Sequence, residues 1–468
     1  MFTYDTSFNS EAWATDCMEF SQRLEHLRIQ LPLGIYNIAE VHKAMEENLE
    51  LLLQTKALTL LMPRGDDWVG LQEKVIGFCG YLCVSLPQLE SLNLGLLSPG
   101  WHFEAERACF PVRALEAFVD QIPHLKAMSL EKIKFCADQN NAVEAEDDIS
   151  NVIARALKDH PSLEKFEWRG CCFDPVSMDG FDPILTSLAS ISTLQVMIVK
   201  VSDKDNLNDD TISSKLDDIA TGCPRLRVLK LEGIYVNDFT QKTALKQCRK
   251  LEQLELNLKL EESALRVVPA MGQAFAKLLK PESSTLESLW IKLHFKQPPV
   301  PRFPHVPQPQ NVVLQVGNGQ SRKKRKLRAT QKFHDEISSS LCNNTKLKVL
   351  GILFHDDTTN ADEENGTLLP VLNAKSFHKC VANNRTLKNL CIPLCGHDEV
   401  IRFYLMVNRT EMFYRFSLEP SCRALLEDFL QVLVEQWCHQ TSELHHLSLV
   451  YYYLRQMPIL IPSSSRPE

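Results

Sequence analysis

The sequence predicts an α/β fold in the form of a curved solenoid, with parallel strands alternating with helices. Three observations carry that prediction. A phrase L-x-x-L-x-L returns about a dozen times along the 468 residues, segments with apolar residues at helical spacing fall between the copies, and a Pro or Asn-Asn turn precedes several of them. In the cleanest copy, Leu226-Arg227-Val228-Leu229-Lys230-Leu231, the alternation gives a short strand with one buried face. One such strand has nothing to bury that face against, so the neighbouring copies must supply the partner.

Taken in order, residues 1–21 read as a polar and aromatic lead-in that caps the first repeat, since a terminal repeat otherwise exposes its stacking face. Repeats are expected over 22–296. Their strands begin at Leu24, near Leu58, and at Leu89, Leu125, Leu163, Leu194, Leu226, Leu251 and Leu286. From Leu89 onward the steps are 36 (89 to 125), 38, 31, 32, 25 and 35, followed by 61, 40 and 57 to the copies at Leu347, Leu387 and Leu444. Spacing in this range marks a repeat array. Residues 39–55, 71–85, 112–121, 148–158 and 214–220 read as helices. Pro123, Pro161 and Pro224 each stand two residues before a strand's first Leu, where Pro ends the helix and sets an extended entry. Further along, Asn343-Asn344 and Asn383-Asn384 take that place, and Asn tolerates the left-handed conformation that ends helices. Repeats resume over 332–400, a terminal unit with the apolar helix 424–437 and Tyr451 to Tyr453 fills 401–457, and 458–468 reads as a loose tail.

These residues resemble the leucine-rich repeat family, in its irregular long-repeat, ribonuclease-inhibitor-like variety, over about residues 20 to 450. The resemblance implies a strand and a helix per unit, and an Asn or Cys closing the phrase. That closing place holds Ile133, Ile234 and Lys259, so the Asn ladder is mostly missing. The resemblance also implies a concave sheet face lined by the outward residues of each phrase, but no particular activity.

Composition is consistent with one long array. The hydrophobic fraction of 44% supports a continuous core, no run of eighteen apolar residues occurs, and Met1-Phe2-Thr3-Tyr4-Asp5 lacks a signal-peptide character. An intracellular chain, cytoplasmic or nuclear, is expected, neither secreted nor in a membrane. Fifteen cysteines, an odd number, are too diffuse for a disulfide framework and read as small buried apolar residues, as at Cys248, Cys342 and Cys380. Cys79 and Cys83, one helical turn apart, read as packing rather than as metal ligands. The Asn-x-Thr sequons at Asn343, Asn365, Asn384 and Asn408 read as coincidental.

Residues 297–331 break the pattern. A Pro-rich stretch from Gln297 is followed by Arg322, Lys323, Lys324, Arg325, Lys326 and Arg328, six cations in the eight residues from Ser321 to Arg328. Without them, 45 basic residues face 59 acidic ones, so the remainder carries about −14. The segment is expected to be a disordered insert, and deletion of Pro298 to Arg328 is expected to leave the fold intact. Its basic run admits a nuclear localisation signal, which implies an import receptor as partner, a nucleic-acid contact, or a solvated loop. Nucleic-acid binding as the main role is not expected of a net acidic scaffold.

Catalytic signatures are missing. There is no Gly-rich phosphate loop, no G-x-S-x-G, no H-E-x-x-H and no deaminase pattern, and the acid pairs Asp147-Asp148, Asp209-Asp210 and Asp362-Glu363-Glu364 sit in polar turns. No catalytic residue, metal or cofactor is expected. The function read from the sequence is non-enzymatic binding of another protein on the concave face, by Arg28, Glu167, Arg169, Lys230, Glu232, Glu255, Asn257, Trp290 and Lys292. The competing readings are an F-box-type substrate adaptor, a small-GTPase regulator and, more weakly, nucleic-acid binding through the basic run.

Overall fold

The computed structural model describes residues 26–30, 45–46, 52–62, 72–96, 107–137, 149–174, 181–201, 212–236, 250–261, 265–280, 284–296, 318–356, 367–369, 375–384, 386–393, 401, 405 and 408. The expected elements at 424–437 and 444–449, the Tyr triplet, the tail and residues 297–317 lie outside them. The chain forms two compact units, 1–267 with 291–301, and 268–290 with 302–468.

In the first unit, strands β1 (His26–Gln30), β2 (Ala57–Met62), β3 (Ser91–Leu96), β5 (Ala127–Glu131), β7 (Lys165–Arg169), β9 (Val196–Lys200), β10 (Val228–Tyr235) and β11 (Gln253–Glu261) lie side by side in that order. Every pair is parallel. Each of these strands carries one of the leucine phrases. The register is also consistent along the sheet: Leu58, Leu92, Met128, Phe166, Met197, Leu229 and Leu254 form one row, and all are buried. The period of two therefore decides which side chains enter the core, and each strand stacks the same positions on its neighbour.

Helices α1 (Gln72–Ser85), α2 (Val112–Gln121), α3 (Ile149–Leu157), α4 (Asp182–Ala189) and α5 (Ile212–Gly222) connect the strands and pack one on the next. Cys79 and Cys83 are buried in α1, and burial pushes the Cys83 thiol up to about 12, as expected of packing residues. A feature not expected from the sequence is a second parallel sheet, β4 (Ala108–Pro111), β6 (Ile133–Cys136) and β8 (Cys172–Asp174), in the order β4-β6-β8. The chain passes from the first sheet to the second through left-handed residues, Lys132 after β5 and Gly170 after β7. Aromatic rings fill the space beside it: Trp168 stacks on Phe135 at 5.3 Å and lies 4.9 Å from Phe181.

This second sheet takes up the first of the three places where the resemblance expects Asn, Ile133, whereas Ile234 and Lys259 lie in β10 and β11 of the first sheet. Ile133 opens β6 and is buried, so its N–H needs a partner. Cys171, the third residue after Trp168, stands in the same place one repeat later, and its Sγ accepts the Ile133 N–H at 3.4 Å. A cysteine thus stands at this place in one of the units, with its sulfur as the acceptor.

The second unit contains most of α6 (Val267–Leu278), α7 (Asn318–Leu341), α8 (Lys375–Asn383), β13 (Val349–Asp356), β14 (Thr367–Leu368), β15 (Asn389–Cys391) and the first residues of β12 (Ser288–Lys296). β15 pairs parallel to β13, and β14 pairs antiparallel to its far end. The expectation of a disordered insert through residue 331 is corrected here, because residues 318–341 form one 24-residue helix. Its inward face, Thr330, Phe333, His334, Ile337 and Leu341, is buried, with Phe333 against Phe275 and Phe354. The basic run is continuous with this apolar stripe, so packing of the stripe extends the helix into it. The run is also not wholly exposed: Lys326 is 1% exposed and its Nζ lies 2.9 Å from Asp356 Oδ1.

The Asn turns are corrected as well. Among the described non-glycine residues only Lys132 and Asp159 have positive φ, so Asn344 and Asn384 are not selected for a left-handed conformation. They build a side-chain ladder instead. Asn344 Nδ2 donates to Leu279 O, and its Oδ1 accepts from the N–H groups of Lys346 and Leu347. Asn384 Nδ2 donates to Leu341 O and Asn344 O, and its Oδ1 accepts from Thr386 and Leu387. Asn408 Nδ2 continues the ladder to Asn384 O and Leu387 O. The amides of Asn344 and Asn384 thus each tie one helix-to-strand turn to the one before it. The sequons at Asn384 and Asn408 mark buried ladder residues.

Candidate functional site

The outward face of the first unit's sheet gathers most of the residues expected to bind a partner. Arg28, Thr59, Asn93, Ser129, Glu167, Ile198, Lys230 and Glu255 form one register row across eight strands. Gln30, Leu61, Gly95, Glu131, Arg169, Lys200, Glu232 and Asn257 form the next. Pleating places these rows opposite the core, and that is why residues 25 to 38 positions apart in sequence become neighbours.

Their charges are largely matched within the face. Glu167 is the focus, with Lys165 Nζ at 3.1 Å, Arg169 Nε at 3.4 Å and Ser129 Oγ donating at 3.1 Å. Burial opposes ionisation of Glu167, but the hydrogen bond and charge of Lys165, with Arg169 and Ser129, outweigh it and hold its carboxyl below the ordinary range. Lys230 pairs with Glu255 at 3.0 Å, and Lys200 pairs with Glu232 at 3.1 Å. Asn257 Nδ2 donates to the same Glu232 at 3.4 Å. Exposed pairs of this kind contribute little stability, so they mainly set the pattern of the surface.

Among these pairs lie three half-exposed apolar residues. Val196 and Ile198 share the outward face of β9, Val228 stands opposite Val196, and Lys230 stands opposite Ile198. Val196 and Val228 were not among the expected site residues. Their signal was nonetheless in the phrase, since its second x also points outward.

The remaining two expected residues divide between the units. Lys292 is half-buried on β12. Trp290 belongs to the second unit and packs on β13: a Cβ on Gly351 would lie 2.1 Å from Trp290 Cε3. Its indole therefore covers a neighbouring strand instead of standing free.

The basic run carries Arg322, Lys323, Lys324, Arg325 and Arg328 exposed along α7, and Lys326 inside. Among the described residues no group of three or more His, Cys, Asp and Glu is placed to hold a metal ion, and no helix is long and apolar enough to cross a membrane. No family model and no curated protein matches the chain.

Proposed function

We propose that this chain is a non-enzymatic protein-binding scaffold, a leucine-rich repeat solenoid of the irregular long-repeat type, whose partner seats on the outward sheet face of the first unit. The observation that carries the reading is the pair of register rows across eight parallel strands, with Val196, Ile198 and Val228 set among matched charges. Interfaces commonly combine an apolar centre with a polar rim, and a rigid sheet presents such a pattern without an ordering cost on binding. Because the charges from β7 to β11 are already paired, that part of the face should bind with modest salt dependence.

The test is quantitative affinity capture from native extract with wild type and with Ile198→Arg combined with Lys230→Glu. Both positions are half-exposed, so the fold should persist, as circular dichroism would verify. Loss of specific proteins at least tenfold supports the reading. An unchanged captured set with a folded variant refutes it.

A further inference from the structure

The strongest unmatched charge among the described residues lies on α7. Lys324, Arg325, Arg328 and Lys332 are exposed, and none makes a hydrogen bond or ion pair with a described residue. Their spacing of i, i+1, i+4 and i+8 puts them on one side of the helix, opposite the buried Lys326, Thr330, Phe333 and Ile337. From Lys324 to Lys332 the stripe runs about 12 Å at 1.5 Å per residue. It ends at Asp335, which is engaged by Gln331 at 2.7 Å.

One feature makes this arrangement costly for the isolated chain: the like charges at Lys324, Arg328 and Lys332 follow one another at i, i+4 spacing and repel. Local preference therefore opposes the helix here. The buried Lys326–Asp356 pair and the apolar stripe hold it in place. An anion on the outer face would relieve that repulsion.

We infer that the exposed face of α7 is a docking site for an acidic, carboxylate-rich segment of a partner protein. Guanidinium groups at Arg325 and Arg328 match carboxylates in bidentate geometry, and the flanking lysines add point charges. A short acidic peptide needs only the stripe. A nucleic-acid duplex would have to extend along a chain whose other residues carry about −14, and tight phosphate binding usually draws on roughly six to ten contacts. No exposed aromatic accompanies the stripe on α7, and the other two exposed cations of the helix, Arg322 and Lys323, lie off its side. The assignment goes beyond the sheet-face reading and uses none of its residues.

Fluorescence anisotropy of the full chain with a labelled twelve-residue poly-glutamate peptide tests it, with a 16-base-pair duplex as the comparison. Saturable peptide binding that weakens at least tenfold in Arg325→Glu with Arg328→Glu is expected. Lys158→Glu with Lys346→Glu, two exposed reversals elsewhere, should weaken it less than threefold. If the glutamate pair loses helix, Arg325→Gln with Arg328→Gln replaces it, with at least a fivefold loss expected. No saturable binding, equal losses in both double variants, or tighter binding of the duplex than of the peptide would overturn the inference. Ile198→Arg with Lys230→Glu should leave peptide binding unchanged, which separates this outcome from that of the sheet face.

Discussion

Gly233 meets two constraints at once. Its φ is +84°, a region that L side chains rarely adopt, and a Cβ there would lie 2.4 Å from Val201 O. Gly233→Ala should therefore lower stability by about 2 kcal/mol or more, read as a fall in the urea midpoint without a change of slope. His334 gives a pH-dependent prediction. Burial among Phe333, Phe354 and Phe377 pushes it down to about 4, with the Thr330 carbonyl opposing weakly. The unfolded chain takes up a proton near pH 6.5 while the folded chain does not. Its stabilising contribution is thus complete above pH 6.5 and is lost as the pH falls from 6.5 to about 4, by roughly 3 kcal/mol. Denaturant unfolding of His334→Phe should show a shallower loss of stability over that window; a slope equal to that of wild type would contradict the assignment.

At the level of elements, α7 is held by a pair whose members lie 30 residues apart. Lys326→Met takes the ammonium away from the buried Asp356 carboxylate and should cost about 3–5 kcal/mol, whereas Lys326→Met with Asp356→Leu should recover most of that loss in thermal unfolding. The same pair reverses an expectation drawn from the sequence. Deletion of Pro298 to Arg328 removes Lys326 and should destabilise the second unit. The asparagine ladder makes a parallel prediction. Asn384→Ala removes four backbone-directed hydrogen bonds and leaves buried partners unsatisfied, for an expected loss of about 3 kcal/mol. Hydrogen exchange should quicken first at Thr386 and Leu387, whose N–H groups lose their acceptor.

For the whole molecule, the continuous core row predicts cooperative failure. Leu229 is fully buried between Met197 and Leu254, so Leu229→Asp places an unpaired charge in the core and should expose the amides of β9, β10 and β11 together. Loss of protection confined to β10 would contradict the shared core. Strand positions were readable at this scale because their signal is local: alternation within six residues fixes which side chains face inward, and eleven phrases in the described residues became strands. The second sheet was missed because β4, β6 and β8 have three or four residues each, too few for periodicity to declare itself. Val196 and Val228 were missed for another reason, since their importance arises only when two strands meet.

By itself, then, the sequence determined the alternation of strands and helices, the inward and outward faces of each phrase, and the place of Lys230, Glu255 and their row on the outer one. Periodicity is a property of neighbouring residues and needs no knowledge of the rest of the chain. Tertiary structure decided the fate of the basic run, the pairing of the sheet-face charges, the role of Asn344 and Asn384, and the covering of Gly351 by Trp290. Each of those depends on a partner that folding brings from a distant segment, and polar side chains take their meaning from the partner they find.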